Sequence, residues 1–260
     1  MTISAPDGTQ SILRALSVLK MFDDAHPTWD LQDLTDASQL NKTTLFRILG
    51  ALEYEGLIEK NDEGRYRLGS EMIALGGRAA RANNLRTISH PILKHLTNTT
   101  GETTTLEVMR SESDQTWSML VIDEVIGKHL VGITQYIGSR LPLHATSTGK
   151  AVLAFIDDDT RQNLLSAQMA GYTDLTHIEP NALLADLDHI SEQGFALAYG
   201  ELELGLVAIG APIFNANQQV IAAISLTGPS VRIKRTDVDA LAQHVCKHAA
   251  DISYQLGYRP

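Results

Sequence analysis

At 260 residues, with one cysteine and a net charge of −10, the chain is long enough for two ordinary domains and excludes a disulfide framework or a cysteine-based zinc site. Residues 1–9 lack the charged-then-apolar pattern of a signal peptide, and no stretch approaches the ~18 apolar residues of a membrane span, so the chain reads as cytoplasmic with no membrane partner. The acidity is uneven: residues 1–86 hold 10 Lys and Arg against 12 Asp and Glu, and the remainder holds 11 against 19. A nucleic-acid partner of the first part would therefore be held by a few placed cations rather than by a broad positive field.

Residues 11–22 form the first expected helix, with Ile12, Leu13, Leu16, Leu19 and Met21 as an apolar floor for the elements that follow. Leu31, Leu34 and Ala37 mark a short helix. After a break over residues 38–41, Leu45, Ile48, Leu49 and Leu52 mark a second one at i, i+3, i+4, i+7 spacing. Asn41 stands where an N-cap belongs. Lys42, Thr43, Thr44, Phe46 and Arg47 follow it at the end that a recognition helix inserts in the major groove of double-stranded DNA. Gly56 closes the helix, residues 57–60 run as a strand, Asn61-Asp62-Glu63-Gly64 turns, and residues 65–68 return. Period two sends Arg65 and Arg67 to one side of the returning strand and Tyr66 and Leu68 toward the helices. Residues 10–69 thus read as a winged helix-turn-helix, with DNA contact through Asn41, Lys42, Thr43, Thr44, Phe46, Arg47, Arg65 and Arg67.

Ser70 opens a further helical run, a linker helix over residues 70–84, in which Met72, Ile73, Leu75, Gly76 and Ala79 offer a small-residue face suited to a counterpart in a dimer. A helix over 85–99, interrupted near Pro91, leads into β-rich segments at 103–109, 116–122 and 129–135. Helices follow at 144–155, 160–169 and 181–193, strands at 195–199, 206–214 and 219–226, and a closing helix at 236–256. Residues 85–258 therefore read as an α+β domain with a mostly antiparallel sheet.

Several segments in this order carry a family resemblance: SILRALSVLKMF, NKTTLFRILGALEYEGLIE, RYRLG, TGETTTLEV, GSRLPLHATSTGKAVLAF and APIFNANQQVIAAISLTGP. The chain resembles the IclR family of bacterial transcriptional regulators over nearly its whole length. The resemblance implies a winged helix-turn-helix joined to a GAF-like effector-binding domain. It also implies a homodimer or tetramer, a palindromic operator, and a small effector, often a carboxylic acid. Effector-pocket positions carried over from the family are Leu130, Ile133, Leu141, Ser147, Thr148, Ala198, Ala208, Ser225 and Thr227.

Ser147, Thr148 and Gly149 also stand near an expected helix start, where free N–H groups suit a carboxylate; a plain helix cap is the alternative. Relatives commonly carry an acidic residue at the position of Ala198 and often a polar or thiol residue at that of Ala208. Two alanines imply a roomier, less polar end and an acid with an apolar or aromatic body. Lys150 and Arg140 read as surface charges, with effector steering as the alternative, and Glu201 and Glu203 read as solvent-facing. No metal or cofactor is expected, since the nine histidines show no ligand spacing. His144 near Ser147 and Thr148 is the sole nucleophile-like grouping, and it lacks an orienting acid, so the chain is not expected to be an enzyme.

Overall fold

The computed structural model describes residues 8–111, 116–129, 136–165 and 169–259. The chain divides into two compact units, Met1–Ala82 and Asn83–Pro260.

In the first unit α1 (Gln10–Leu19) precedes a short strand, β1 (Thr28–Trp29). Then come α2 (Leu31–Ser38), α3 (Lys42–Tyr54), β2 (Ile58–Lys60), β3 (Tyr66–Leu68) and α4 (Ser70–Ala82). The strands form an antiparallel sheet in the order β1-β3-β2. Val18, Leu34, Leu45, Leu49 and Ile58 are fully buried in its core with Phe22, Leu52 and Tyr66 around them. At about 1.5–3 kcal/mol for each buried aliphatic side chain, this small cluster is what holds the helices together.

Three features differ from expectation, and the face expected on the linker helix stays open. The buried stripe of α1 is Ala15, Val18, Leu19 and Phe22, spaced i, i+3, i+4, i+7, so Ile12, Leu13 and Leu16 stay exposed. Leu68 is 39% exposed: it ends β3 opposite Ile58 and lies beyond the helices that cover Tyr66. The two-residue β1, too short to leave a pattern, pairs with β3 through Thr28 and Trp29. α4 buries none of its residues within its unit.

The second unit opens with α5 (Asn84–Thr100), which runs through Pro91 without a break. Pro91 and Thr87 are exposed, so the carbonyl left without an N–H partner at that turn can be hydrated. β4 (Thr103–Ser111), β5 (Trp117–Val125) and β6 (Arg140–Pro142) follow, then α6 (Ser147–Leu153), α7 (Asp158–Leu165) and α8 (Pro180–Gln193). β7 (Ala196–Tyr199), β8 (Leu206–Phe214) and β9 (Val220–Pro229) lead through a single 3-10 turn to α9 (Val238–Gln255). The expected strand at 129–135 falls, from residue 130 on, outside the described residues, while β6 was not anticipated.

The sheet is antiparallel throughout, in the order β6-β5-β4-β9-β8-β7. Period-two alternation gives it two faces. Leu106, Ile209, Ile224 and Leu226 pack under α5 and α9. Met119, Ala196 and Ala223 pack under α6 and α8, with Leu153, Leu183 and Leu187. Gly210 lets α6 lie directly on β8, and Gly149 lets the connection from β6 close against α6. A Cβ at Gly149 would stand 2.1 Å from the carbonyl oxygen of Leu143, and one at Gly210 in β8 would stand 2.7 Å from the Ser147 backbone.

Candidate DNA-binding face and effector cavity

The Asn41 side chain accepts the Thr44 N–H at 2.8 Å and so starts α3 as an N-cap. With Leu45, Leu49 and Leu52 turned inward, Lys42, Thr43, Phe46 and Arg47 are left on one exposed face and Thr44 at its half-buried edge. Neither Lys42 nor Arg47 enters an ion pair among the described residues, so both charges are free to meet phosphate or a base edge.

The wing is built differently from expectation. Asn61 Oδ1 accepts from the N–H groups of Glu63 (3.1 Å) and Arg65 (2.9 Å), which tightens the turn. The half-buried Arg65 donates through Nη2 to the Thr28 carbonyl at 3.1 Å, tying the wing to β1. Arg67 lies directly opposite Glu59 in the β2–β3 register, and its guanidinium meets Glu59 Oε1 at 2.7 and 2.8 Å. Cross-strand neighbours of opposite charge pair by default, so Arg67 does not project as a free cation, while Arg65 is held against the β1 backbone.

In the second unit, Leu141, Ser147, Thr148, Ala198, Ala208 and Ser225 converge on one small cavity between α6 and the sheet. Leu130 and Ile133 lie outside the described residues. Ala198 and Ala208 face each other across β7 and β8, and Leu202, Leu206 and Ala145 complete an apolar wall. Ser225 and Thr227 stand two apart on β9, their hydroxyls 3.2 Å from each other. Gly149 does not offer a free N–H, because the Thr146 side chain caps it at 3.2 Å.

The cavity also contains a group that the sequence reading passed over. Glu107 on β4 is 1% exposed. Its Oε2 accepts the Thr148 hydroxyl at 2.5 Å and its Oε1 the Thr105 hydroxyl at 2.7 Å. Burial pushes its carboxyl above the usual carboxylate range, against the opposing pull of these two hydrogen bonds. The Thr148 hydroxyl is thus engaged by a carboxyl group instead of standing free. The signal was a glutamate on the Thr103/Thr105 side of the strand, within its buried stretch of apolar and hydroxyl-bearing residues 103–108.

Lys150 and Glu201 also correct the reading. Lys150 is 1% exposed, and its ammonium donates to Asp186 Oδ2 (2.8 Å), the Leu197 carbonyl (2.7 Å) and Glu201 Oε1 (2.8 Å). Those three bonds use its three protons. Glu201 is buried and lines the cavity, while Glu203 does face solvent. Arg140 is exposed and reaches Ser118 Oγ at 3.1 Å. The His144 ring is turned away from Ser147 and Thr148, donating through Nε2 to the Ala170 carbonyl at 2.8 Å. Among the described residues no cluster of three or more His, Cys, Asp or Glu could hold a metal ion, and no helix is long and apolar enough to cross a membrane.

A winged helix-turn-helix followed by an α+β domain with an enclosed cavity is the architecture of a two-part transcriptional regulator. The family model for the C-terminal domain of the bacterial transcriptional regulator IclR matches residues 77–254, and that for the IclR helix-turn-helix domain matches residues 11–62. The chain is 30% identical over 258 residues to the transcriptional repressor IclR of Escherichia coli K12, covering 98% of this chain and 93% of that protein. The chain belongs to the IclR family. Among solved structures, an IclR transcriptional regulator from Alicyclobacillus acidocaldarius superimposes with a TM-score of 0.85 at 27% identity, covering 95% of this chain and 98% of that one. An IclR homolog from Microbacterium hydrocarbonoxydans, complexed with 4-hydroxybenzoate, has the same fold (TM-score 0.81, 24% identity, 95% and 99% coverage).

Proposed function

We propose that this IclR-family regulator represses a catabolic operon in the cytoplasm and is released by a small carboxylic acid with an apolar or aromatic body. The recognition face is Lys42, Thr43, Phe46 and Arg47, with Asn41 and Thr44 shaping the helix start and the wing, through Arg65 and Arg67, in a supporting role. A homodimer or tetramer presents two such faces to the half-sites of a palindromic operator. The exposed α1 residues Ile12, Leu13 and Leu16 and the unburied α4 are apolar surfaces that such an assembly would cover.

The observation that carries the effector reading is the cavity under α6. Its lining is apolar at the facing Ala198 and Ala208, with the ion-paired Glu201 beside them, and carries Ser147, Thr148, Ser225 and Glu107 as its other polar groups. Its volume in this structure is about 10 Å³, room for about one water. An effector with a carbon body therefore binds by widening it, and that displacement of α6 against the sheet is the natural origin of a conformational signal. The ligand of the Microbacterium homolog, an aromatic acid, supports this class.

The test is a mobility-shift assay on a DNA fragment selected by the protein from a random pool, with and without benzoate, 4-hydroxybenzoate and short dicarboxylates. Selection of a palindrome and its release by an acid with an apolar body is the expected result. Release by a short dicarboxylate such as oxalate alone would point to a different effector class.

A further inference from the structure

Glu107 sits at the head of a chain of buried hydroxyls. Thr105 Oγ1, which donates to Glu107 Oε1, lies 2.8 Å from Ser225 Oγ, and Ser225 Oγ lies 3.2 Å from Thr227 Oγ1. Each hydroxyl has one proton to give. When Glu107 is ionised, Thr148 and Thr105 both spend theirs on it, Ser225 must then donate to Thr105, and Thr227 to Ser225. Every one of these four protons points toward Glu107, so along this chain the cavity shows an incoming ligand lone pairs and a buried negative charge, with the Ser147 hydroxyl as the side-chain donor that remains. A carboxylate binds that arrangement poorly, since a second anion would share a small, buried site with ionised Glu107 and no cation.

No cation relieves the conflict. The groups against Glu107 from the neighbouring elements are Val121 on β5, Ala223 and Ser225 on β9 and Thr148 on α6. The other titratable group lining the cavity among the described residues is Glu201, which is ion-paired to Lys150. Lys150 has no proton left to offer.

We propose that Glu107 admits the effector as a neutral acid: protonated on Oε2, it donates to Thr148 Oγ1, and the Thr148 hydroxyl, released, donates to the effector carboxylate. This rests on the reading of the effector as a carboxylic acid. The proton comes from solvent: effector anion, ionised Glu107 and one H⁺ give a complex in which the effector keeps its charge and Glu107 has none. The 2.5 Å contact between Thr148 and Glu107 serves either direction of donation. Burial of Glu107 already favours the protonated form. Glu107 is in this sense a positioning residue that acts on the ligand through Thr148.

The experiment is calorimetric titration of benzoate and 4-hydroxybenzoate into the full chain between pH 6 and pH 9, in two buffers of different ionisation enthalpy. The proteins compared are wild type, Glu107→Gln and Glu201→Gln. Wild type should take up as much as one proton per acid bound, with affinity falling toward tenfold per pH unit at the alkaline end. Glu107→Gln, whose amide donates permanently to Thr148, should bind the same acids with no proton uptake and a flat profile. Glu201→Gln should keep the wild-type proton uptake. Proton uptake that persists in Glu107→Gln or vanishes in Glu201→Gln overturns the proposal, as does wild-type binding with no proton uptake at any pH. In these cases acid binding itself stands. If neither acid binds any of the three proteins, the acid reading of the cavity falls, and the proposal with it.

Discussion

Lys150 Nζ and Glu201 Oε1 meet at 2.8 Å with both side chains buried. This ion pair, shared with Asp186 at 2.8 Å, joins α6 to α8 and to the segment after β7. Glu201 therefore lines the cavity under α6 without lending it a free charge. Removing the cation leaves two carboxylates unpaired, which costs far more than the pair contributes over an apolar replacement. Lys150→Met should destabilise the second unit by about 3–5 kcal/mol, and adding Glu201→Gln to it should recover part of the loss. Urea denaturation followed by a probe in that unit measures both. A Lys150→Met variant as stable as wild type would mean that the three groups are solvated in solution.

Glu107 makes stability depend on pH with a definite sign. Its carboxyl is raised above the ordinary value of 4.5, so between that value and its folded one the native chain holds a proton that the unfolded chain has lost. Stability therefore declines as pH rises through this window, by up to about 1.4 kcal/mol per pH unit, and levels off above it. Glu107→Gln removes this decline. The difference between the two proteins, measured by denaturation from pH 4 to pH 9, should grow with pH in favour of Gln; parallel curves would show that Glu107 titrates normally.

The elements set by local pattern were legible in the sequence, and those set by distant partners were not. Asn41 and the Leu45-Leu49-Leu52 stripe place α3 within one short stretch of chain, and the near-continuous apolar runs of β8 and β9 are equally local. Lys150 reads as a surface charge because its acidic partners lie 36 and 51 residues away. β1 and β6 are two and three residues long, and such strands exist only because a longer neighbour offers an edge. The apolar residues of α1 were visible, but which of them face the core depends on where α3 lies. Ser147, Thr148, Ala198, Ala208 and Ser225 come together as expected, while Glu107, which alters the chemistry of that site, is one acid in an ordinary strand.

On the DNA side, Arg47 and Lys42 are cations of the proposed recognition face with no ion pair among the described residues. Arg47→Ala should cost about 1–3 kcal/mol in operator affinity with selectivity relaxed at one position if it reads a base, or weaken all sequences alike if it meets phosphate. Fluorescence anisotropy on a selected operator and on scrambled DNA separates the two. Unchanged affinity and salt dependence would remove Arg47 from the interface.

The wing offers a gain-of-function test. Arg67 is neutralised by Glu59 across the β2–β3 pair, so Arg67→Ala alone should change DNA affinity little. Glu59→Gln releases the guanidinium and should steepen the slope of log affinity against log salt by up to about one unit. A slope identical to wild type would mean that the wing tip never reaches the phosphates.

The apolar end of the cavity rests on Ala198 and Ala208, paired across β7 and β8 and both buried. An aspartate at position 198 would put a third carboxyl group into a cavity already lined by Glu107 and Glu201, where no cation among the described residues has a proton to spare. It would also occupy the space meant for the body of the effector. Ala198→Asp should therefore weaken an aromatic or aliphatic monocarboxylate by a factor of ten or more, an unpaired buried charge costing several kcal/mol. Operator binding without effector should survive, since Ala198 belongs to the second unit and the recognition face to the first. Ala208→Val, which adds only volume, distinguishes charge from space: it should reject the bulkier acids and spare the shorter ones. Calorimetry of the three proteins against a graded series of acids decides the matter, and equal affinities in wild type and Ala198→Asp would place the effector away from β7.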